Sequence, residues 1–512
     1  MDSLIYIIEA FSYLLFNPVN VSVMVIGAFI GILSGALPGT TSVSTVAILL
    51  PLSIFMPPEV AIVFLLGGYI GEVSGGSISA ILFRIPGSTE AIATLFDGYE
   101  LTKKGRVVEA LTLARFYSLV GGLIGGILML FATPLLAEFG IKFGPAELFM
   151  LIVMAIIVLS TLEGGFKTLL SILFGLFLAT IGIDEYTGIS RFTFGIVELE
   201  SGLHIAPLFL GLFAIPEAIR LAIKLPPSPT TTTRFKLTSL MFPSYSFFKR
   251  SLPLIFLLAI PIGFLIGVLP GIGATTAAIY SYVIAKGISR NPEKYGTGIP
   301  EGVAVPEAAN NAASMGTLVP TLALGIPGGG VTALLLGVLV IHGIRPGPLV
   351  FIHNPLLSYS ILVGAIIVTI LVWAFTPIII YFFVKIFEAF RKSIPILVSF
   401  IILISILATY IVRNQIIDIW TLMIFAILGL ILERYKFPIA PLAIGFVLGG
   451  SLSEIPFRRA LDISGGDPSI FLKSNISILL LILAIILALT PRIIKRISTH
   501  KSRSLSENSI VN

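Results

Sequence analysis

Long apolar runs without a charged residue constrain the fold of this chain more than any other feature. They include Phe351–Val384, Ile394–Ile411 and Ser477–Leu489. A helix crosses a bilayer with about 20 mainly apolar residues, so such runs are typical of membrane-spanning helices. Charged residues make up only 11% of the 512 positions, against about 25% in ordinary soluble domains. We therefore predict an all-α integral membrane protein with about 10–12 transmembrane helices.

Sequence motifs for enzymes and for nucleic-acid binding are missing. The chain has no cysteine, which excludes disulfides and cysteine-ligated metals. Its four histidines form no His-Glu-x-x-His motif, and neither a phosphate-binding loop nor a Gly-x-Ser-x-Gly elbow is present. The net charge of +6 is not gathered into a basic patch interleaved with aromatic residues. We expect no enzymatic activity and no nucleic-acid binding. We also expect no cofactor, with a coupling Na⁺ as the one exception. Because a phosphate-binding loop is missing, any energy that the protein uses must come from an ion gradient or from another subunit.

A basic segment rich in proline and threonine, at 224–250, divides the chain into two parts. Its composition excludes a membrane helix and predicts a linker. The predicted organisation is an N-terminal helix at 1–20, a first membrane repeat at 21–223, the linker at 224–250, a second membrane repeat with C-terminal spans at 251–490, and a tail at 491–512. Linker and tail are both basic, so the positive-inside rule predicts that they lie in the cytoplasm.

The two parts share a pattern of glycines and of Pro-Gly pairs. The first has Gly27, Gly31, Gly35 and Leu37-Pro38-Gly39, and the second has Gly263, Gly267 and Leu269-Pro270-Gly271, at an offset of 232 residues. Later, Ile85-Pro86-Gly87 recurs as Ile326-Pro327-Gly328 at an offset of 241 residues. We therefore predict two related repeats with broken helices or re-entrant hairpins. The sequence leaves open whether the repeats are inverted.

The glycine stripes have a structural explanation, because small residues let membrane helices approach closely. The Pro-Gly breaks point to function, since backbone groups freed inside a bilayer must face protein or a water-filled cavity. Paired interruptions at matching positions of two halves mark the binding site of many transporters. We therefore place the substrate site at these breaks.

Hydroxyl and amide side chains beside the breaks supply the candidate ligands. Helix N-termini rich in hydroxyl groups suit an anion, although simple helix capping is an equally good explanation. Arg84 is a candidate carboxylate clamp, unless it pairs with Glu72 or reaches the membrane surface. The predicted substrate-binding residues are Gly39, Thr40, Thr41, Ser42, Ser77, Arg84, Pro86, Gly87, Gly271, Gly273, Thr275, Pro327 and Gly328. Glu307, Asn310 and Asn311 are the predicted coupling-ion site, with hydrogen bonding between helices as the alternative.

An ordered series of motifs resembles the large membrane subunit of tripartite tricarboxylate transporters, the TctA family. The series runs from about Gly27 to Phe471 and includes GALPG (35–39), RFTFG (191–195) and PEAANNA (306–312). The chain departs from the family pattern after Gly39, at Ile70-Gly71-Glu72 and at Arg84. These departures lie at the predicted site and leave the substrate open.

The resemblance implies a secondary transporter for citrate-like carboxylates, driven by a Na⁺ or proton gradient. It also implies a small membrane subunit and, in bacteria, an extracytoplasmic solute-binding protein. We expect a multi-pass protein of a prokaryotic cell membrane, and by analogy with other transporters a homodimer. A passive anion channel, an intramembrane enzyme and a non-transporting scaffold subunit are the alternatives.

Overall fold

The computed structural model describes residues 2–37, 40–162, 165–184, 186–223, 240, 242–449 and 453–488, with the backbone alone at 2, 162 and 383–391. Most of the predicted linker and the whole predicted tail therefore lie outside the described residues. Residues 245–250 of the predicted linker form the start of a helix.

The described chain is almost entirely helical. The helices of the first half are α1 (Asp2–Leu15), α2 (Pro18–Gly35), α3 (Ser42–Ser53), α4 (Pro58–Phe83), α5 (Ile92–Lys103), α6 (Val107–Gly140), α7 (Pro145–Leu162), α8 (Phe166–Leu178), α9 (Ile205–Phe209) and α10 (Ile215–Ile223). Those of the second half are α11 (Tyr245–Leu254), α12 (Ile260–Val268), α13 (Gly273–Ile288), α14 (Glu301–Leu324), α15 (Gly330–Ile341), α16 (Val350–His353), α17 (Pro355–Arg413), α18 (Ile416–Arg434), α19 (Ile439–Leu448), α20 (Glu454–Ile463) and α21 (Asn475–Ala488). Two short strands, β1 (Gly182–Ile183) and β2 (Ser190–Arg191), pair antiparallel.

Eight helical segments of the described chain are long and apolar enough to cross a membrane. Two of them lie within α17, and α9–α10 and α11–α12 each form one span through a π-helical turn. Seven further apolar helices are shorter. These segments confirm the predicted all-α membrane protein. The most buried of these spans is α4, whose apolar window is completely buried among the described residues.

Glycines allow the central helices to approach closely. A methyl group at Gly31 of α2 would lie only 2.5 Å from the carbonyl oxygen of Gly68 on α4. Gly263 of α12 has the same relation to the carbonyl oxygen of Ala309 on α14. Gly31 and Gly263 are 232 residues apart, and Gly68 and Ala309 are 241 apart. The offsets found in the sequence motifs therefore also relate two helix contacts.

The order of contacts between helices gives their relative directions. Gly121 and Gly125 of α6 pack against Ala308 and Ala312 of α14, so these two helices are parallel. Residues 122 and 126 of α6 pack against residues 369 and 366 of α17, so α6 and α17 are antiparallel. Helix α6 begins beside the end of α4, because Thr102, near the end of α5, donates to the Ile81 carbonyl at 2.8 Å and α6 follows directly.

The chain turns back into the protein after α4 and again after α14. Both helices end at a residue with left-handed backbone, Arg84 with φ 57° and Gly325 with φ 72°. The N–H of Gly87 then donates to the carbonyl of Gly76, at 3.1 Å. The N–H of Gly328 donates to the hydroxyl of Thr321 at 3.2 Å. Each Ile-Pro-Gly segment therefore lies beside the C-terminal part of the helix that precedes it.

An ion network lies at the end of the molecule formed by the strand pair and α20. Asp184 and Glu454 accept from both Arg191 and Arg458. The backbone N–H of Tyr186 and, to a smaller extent, the two arginines lower the pKa of Asp184. This network joins the first half of the chain to α20.

Candidate substrate site

One cavity lies where four helical segments begin. These are α3, α13, α15 and the 3₁₀ turn Thr89–Ala91 that leads into α5. The cavity measures about 280 Å³ and is not fully enclosed by protein. Its walls are formed by Thr41, Ser42, Val43, Tyr69, Thr89, Glu90, Ile272, Gly273, Ala274, Thr275, Thr276, Thr317, Gly329, Gly330, Val331 and Thr332. All four segments follow a predicted break, so the breaks of both halves meet at one place.

Within each half the two breaks also contact each other. The hydroxyl of Thr40 lies 3.3 Å from the carbonyl oxygen of Gly87 in the first half. In the second half the N–H of Gly271 donates to the carbonyl of Gly328 at 2.9 Å. The halves meet across the cavity, where the Thr275 hydroxyl donates to that of Thr89 at 3.2 Å.

Positive backbone angles fit the chain around the cavity at Gly271 and Gly273, with φ of 79° and 71°. Glycine adopts this conformation without a steric penalty. Two threonines also satisfy backbone groups at helix starts. Thr41 accepts from the N–H of Ser44 at 3.1 Å, and Thr332 accepts from the N–H of Gly329 at 2.9 Å. Capping is therefore present, and the same N-termini still point their positive dipole ends into the cavity.

Two carboxyl groups lie beside the start of α3. The Ser42 hydroxyl contacts Glu72 Oε2 and lies 3.1 Å from Glu90 Oε1. Thr89 donates to Glu90 Oε2 at 3.0 Å. Glu72 is fully buried and Glu90 is 8% exposed. The sequence analysis mentioned Glu72 only as part of a departure from the family pattern and as a possible partner for Arg84, and it did not identify Glu90.

Glu307, Asn310 and Asn311 form a buried network next to the cavity. Glu307 accepts from the hydroxyls of Thr94 at 2.5 Å and Ser118 at 2.7 Å. Asn311 donates to the Asn310 side chain at 2.7 Å and to the Glu307 carbonyl at 3.1 Å. None of the three belongs to the cavity wall as the structure describes it. Their assignment as a coupling-ion site stays a prediction.

The other predicted residues fall into three groups. Thr41, Ser42, Gly273 and Thr275 line the cavity, and Thr40, Pro86, Gly87, Gly271, Pro327 and Gly328 form the breaks behind it. Ser77 donates to the Ser74 carbonyl and faces a neighbouring pocket with Arg115. Arg84 is exposed above the Tyr99 ring and lines a third pocket with Lys286. Gly39 lies outside the described residues.

Several cavity residues were missed by the sequence analysis. Tyr69, Thr317 and Thr332 were not singled out, although the offset of 241 residues relates Tyr69 to Asn310. Applying that offset to every polar residue near a break would have identified Tyr69. Across the described residues, no group of three or more histidine and acidic side chains is arranged to hold a metal ion.

The helices and the central cavity define a multi-pass membrane protein of the transporter type. The chain belongs to the tripartite tricarboxylate transporter TctA family, whose model matches residues 21–444. This confirms the resemblance inferred from the motifs. The family is one of transporter subunits and not of enzymes. Its tripartite nature implies that this subunit works with others.

Two proteins of Agrobacterium vitis are similar to this chain. One, described as an uncharacterized 52.8 kDa protein in the TAR-I ttuC' 3' region, is 36% identical over 483 residues, which cover 93% of this chain and 94% of that protein. The other, an uncharacterized protein in the TAR-II ttuC' 3' region, is 39% identical over 235 residues, 45% of this chain and 95% of that protein. No solved structure matches the chain.

Proposed function

We propose that this chain is the subunit through which a small carboxylate crosses the membrane, driven by a Na⁺ or proton gradient. The observation that carries the proposal is the convergence of four helix starts on one cavity. The family supports transport of tricarboxylates as a class. Citrate and related di- and tricarboxylates are the substrates to test first.

The chemistry of the cavity suits a carboxylate. Free N–H groups and the positive ends of helix dipoles favour an anion, most strongly within the first turn of a helix. Thr41, Thr89, Thr275, Thr276 and Thr332 add hydroxyl groups that can donate to carboxylate oxygens. Gly273, Gly329 and Gly330 bring backbone close to the cavity without a side chain in between.

Helix directions support an inverted repeat and, with it, alternating access to the cavity. The offset of 241 residues relates α4 to α14. Helix α14 is parallel to α6, and α6 leaves the membrane face at which α4 ends. Helix α4 and its counterpart α14 therefore cross in opposite directions. Opposed repeats around a midplane site can exchange conformations and so open the site to each side in turn.

The proposal includes location and partners. We place the protein in a prokaryotic cell membrane, with the linker and the C-terminal tail in the cytoplasm. The partners would be a small membrane subunit and an extracytoplasmic solute-binding protein, and the assembly would contain a second copy of this chain. The ends of α5 and α13 support this orientation, because both are basic, with Lys103 and Lys286 in the last turns.

The test is uptake of labelled citrate and succinate into proteoliposomes. The vesicles contain this chain together with the small subunit and binding protein that we expect its neighbouring genes to encode. We expect accumulation only when a Na⁺ or proton gradient is imposed, and its loss with the matching ionophore. Equilibration that ignores both gradients would indicate a passive anion channel, and the absence of any uptake would contradict the proposed substrate class.

A further inference from the structure

Ser42, Glu72 and Glu90 form a polar cluster at the edge of the cavity, here called the cluster, and its two glutamates are called the carboxyl pair. We propose that this cluster binds one positive charge, either a proton shared by the carboxyl groups or a Na⁺ ion. We further propose that a carboxylate enters the cavity only when this charge is present. The second statement rests on the proposed function, and the first does not.

The number of hydrogen-bond donors at the cluster is too small for two ionised carboxylates. One hydroxyl proton of Ser42 faces oxygens of both Glu72 and Glu90 and can be donated to only one at a time. Thr89 supplies one further proton, to Glu90 Oε2. The other oxygen of Glu72, Oε1, is buried and has no hydrogen-bond partner among the described residues. None of the ion pairs between described residues includes Glu72 or Glu90.

A buried carboxylate that lacks sufficient hydrogen-bond donors or a neighbouring positive charge is strongly disfavoured. Two carboxylates that share a site cannot both ionise freely. A proton between the two groups supplies the missing donor. A Na⁺ ion supplies the same charge, and its preferred oxygen ligands are present in the two carboxyl groups and the hydroxyls of Ser42 and Thr89. One positive charge therefore completes the cluster in either form.

The second half shows that the fold does not require these polar side chains. The sequence offsets relate Ser42 to Ala274, Glu72 to Ala313 and Glu90 to Val331. Contacts agree with this relation, because Gly35 packs on the carbonyl of Glu72 as Gly267 packs on that of Ala313. Ala274 and Ala313 lie in one small apolar cluster. The first half has two glutamates and a serine at these positions, and the second half has two alanines and a valine.

The position of the cluster connects its charge to the substrate. Ser42 and Glu90 belong to the cavity wall, next to the helix starts that suit an anion. A carboxylate entering beside two ionised glutamates would be repelled in a region of low dielectric constant. A proton or a Na⁺ ion at the cluster lowers that repulsion. Binding of the cation and of the carboxylate would then be mutually favourable, which is the requirement for symport.

Few other titratable groups face the cluster. Tyr69 of α4 lines the same cavity. Glu307 of α14 is connected to it through Asn310, whose side chain lies 3.3 Å from the Glu90 carbonyl oxygen. Helices α2, α3 and α15 contain no acidic or basic residue, and α13 contributes Lys286, which lines a separate pocket. Glu217 and Arg220 of α10, which packs against α3, form an ion pair with each other.

The experiment measures the cation on the purified full-length chain without any transport substrate. Binding of ²²Na⁺ is measured at constant pH, and the carboxylic-acid carbonyl band is followed by infrared spectroscopy as pH is raised without Na⁺. In the Na⁺ case, Glu72→Gln and Glu90→Gln each weaken ²²Na⁺ binding by about tenfold or more, and Ser42→Ala weakens it less. In the proton case, the wild type binds no ²²Na⁺ but shows an acid band that either glutamine variant removes.

Exposed Glu293 supplies the matched control, and Glu293→Gln should change neither signal. Glu72→Ala, which copies Ala313 of the second half, is the second variant if Glu72→Gln folds poorly. Unchanged ²²Na⁺ binding and an unchanged acid band in all Glu72 and Glu90 variants would overturn the proposal. A loss of either signal only in Asn310→Ala or Asn311→Ala would also overturn it, in favour of the asparagine site. Because no carboxylate is added, these outcomes are independent of whether citrate is the substrate.

Discussion

At the scale of single residues, hydroxyl groups and glycines make the cavity suitable for an anion. Thr275 and Thr89 belong to different halves and touch across it, and each lies at the start of a helical segment. A hydrogen bond to a charged group contributes about 1.5–3 kcal/mol. Side chains that donate one to the substrate should therefore affect its affinity much more than the stability of the protein.

Thr275→Val tests this contribution, because valine keeps the shape of threonine and removes the hydroxyl. We expect the KM for carboxylate uptake to rise by about tenfold or more, with the thermal stability nearly unchanged. Initial rates of uptake into proteoliposomes give the KM. Thr297→Val is the control, since Thr297 is exposed in a loop and, among the described residues, its hydroxyl donates to the Lys294 carbonyl alone. Equal KM values for both variants would remove Thr275 from the substrate site.

The lowered pKa of Asp184, which lies away from the cavity, predicts that the stability of the protein depends on pH. Its neighbours lower its pKa below the ordinary 3.8, so the folded protein favours the ionised form. The stabilisation is complete above that value and is lost as pH falls below it through the folded pKa. At neutral pH, Asp184→Asn should lower the melting temperature, and in acid below 3.8 the gap to the wild type should shrink. Asp462→Asn, at an exposed position of α20, should show no such gap at any pH.

At the scale of helices, close contacts between glycine-rich helices hold the breaks in place. Helix α2 packs along α4 through Gly27, Gly31 and Gly35, and α12 packs along α14 through Gly263 and Gly267. The break that follows α2 or α12 is thereby fixed against the middle of a long span. Any side chain added to the stripe would push the two helices apart.

Gly31→Ala should destabilise the protein by about 1–3 kcal/mol, because the added methyl group would meet the carbonyl oxygens of Gly67 and Gly68 at 2.6 and 2.5 Å. Thermal unfolding of the detergent-solubilised protein gives the shift. Gly287→Ala is the control: Gly287 is exposed on α13 with no heavy atom within 4 Å of an added methyl group. That substitution should leave stability unchanged or raise it slightly. A harmless Gly31→Ala would mean that α2 and α4 are less closely packed.

The sequence predicted the helical membrane fold, for a physical reason. Membrane spans and Pro-Gly interruptions are local, and both are legible in a stretch of neighbouring residues. The carboxyl pair was not predicted, because Glu72 and Glu90 meet only after the chain turns back beyond α4. Arg84 illustrates the same limit. Its position before Pro86 favoured a ligand, yet the left-handed end of α4 leaves it exposed over Tyr99.

At the scale of the whole molecule, charge and helix direction together predict the orientation in the membrane. Helix α6 connects Lys104, just before it, with Lys142, just after it. If the basic end of α5 is cytoplasmic, the far end of α6 must face the outside, since the helix has 34 residues and can span a bilayer. Helix α20 lies on that same side, because its Phe457 contacts Phe149 at the start of α7, and the ion network joins the strand pair to α20 there.

The absence of cysteine makes this orientation directly testable. Lys104→Cys and Lys142→Cys each introduce the only thiol in the chain, both at exposed positions. In intact cells a membrane-impermeant thiol reagent should label the protein with Lys142→Cys and not the one with Lys104→Cys. Permeabilised cells should label both, which controls for reactivity. Labelling of Lys104→Cys alone in intact cells would reverse the topology.

The contacts between breaks of the same half have a consequence for whether the chain can be made as two separate polypeptides. Thr40 contacts Gly87, and Gly271 contacts Gly328, so the two breaks of each half contact each other within that half. Two polypeptides divided within 224–239 would each carry a complete pair. Cells that make both polypeptides should assemble a working protein from them. The linker would then serve mainly to keep the two halves in equal numbers, and less to give them their fold.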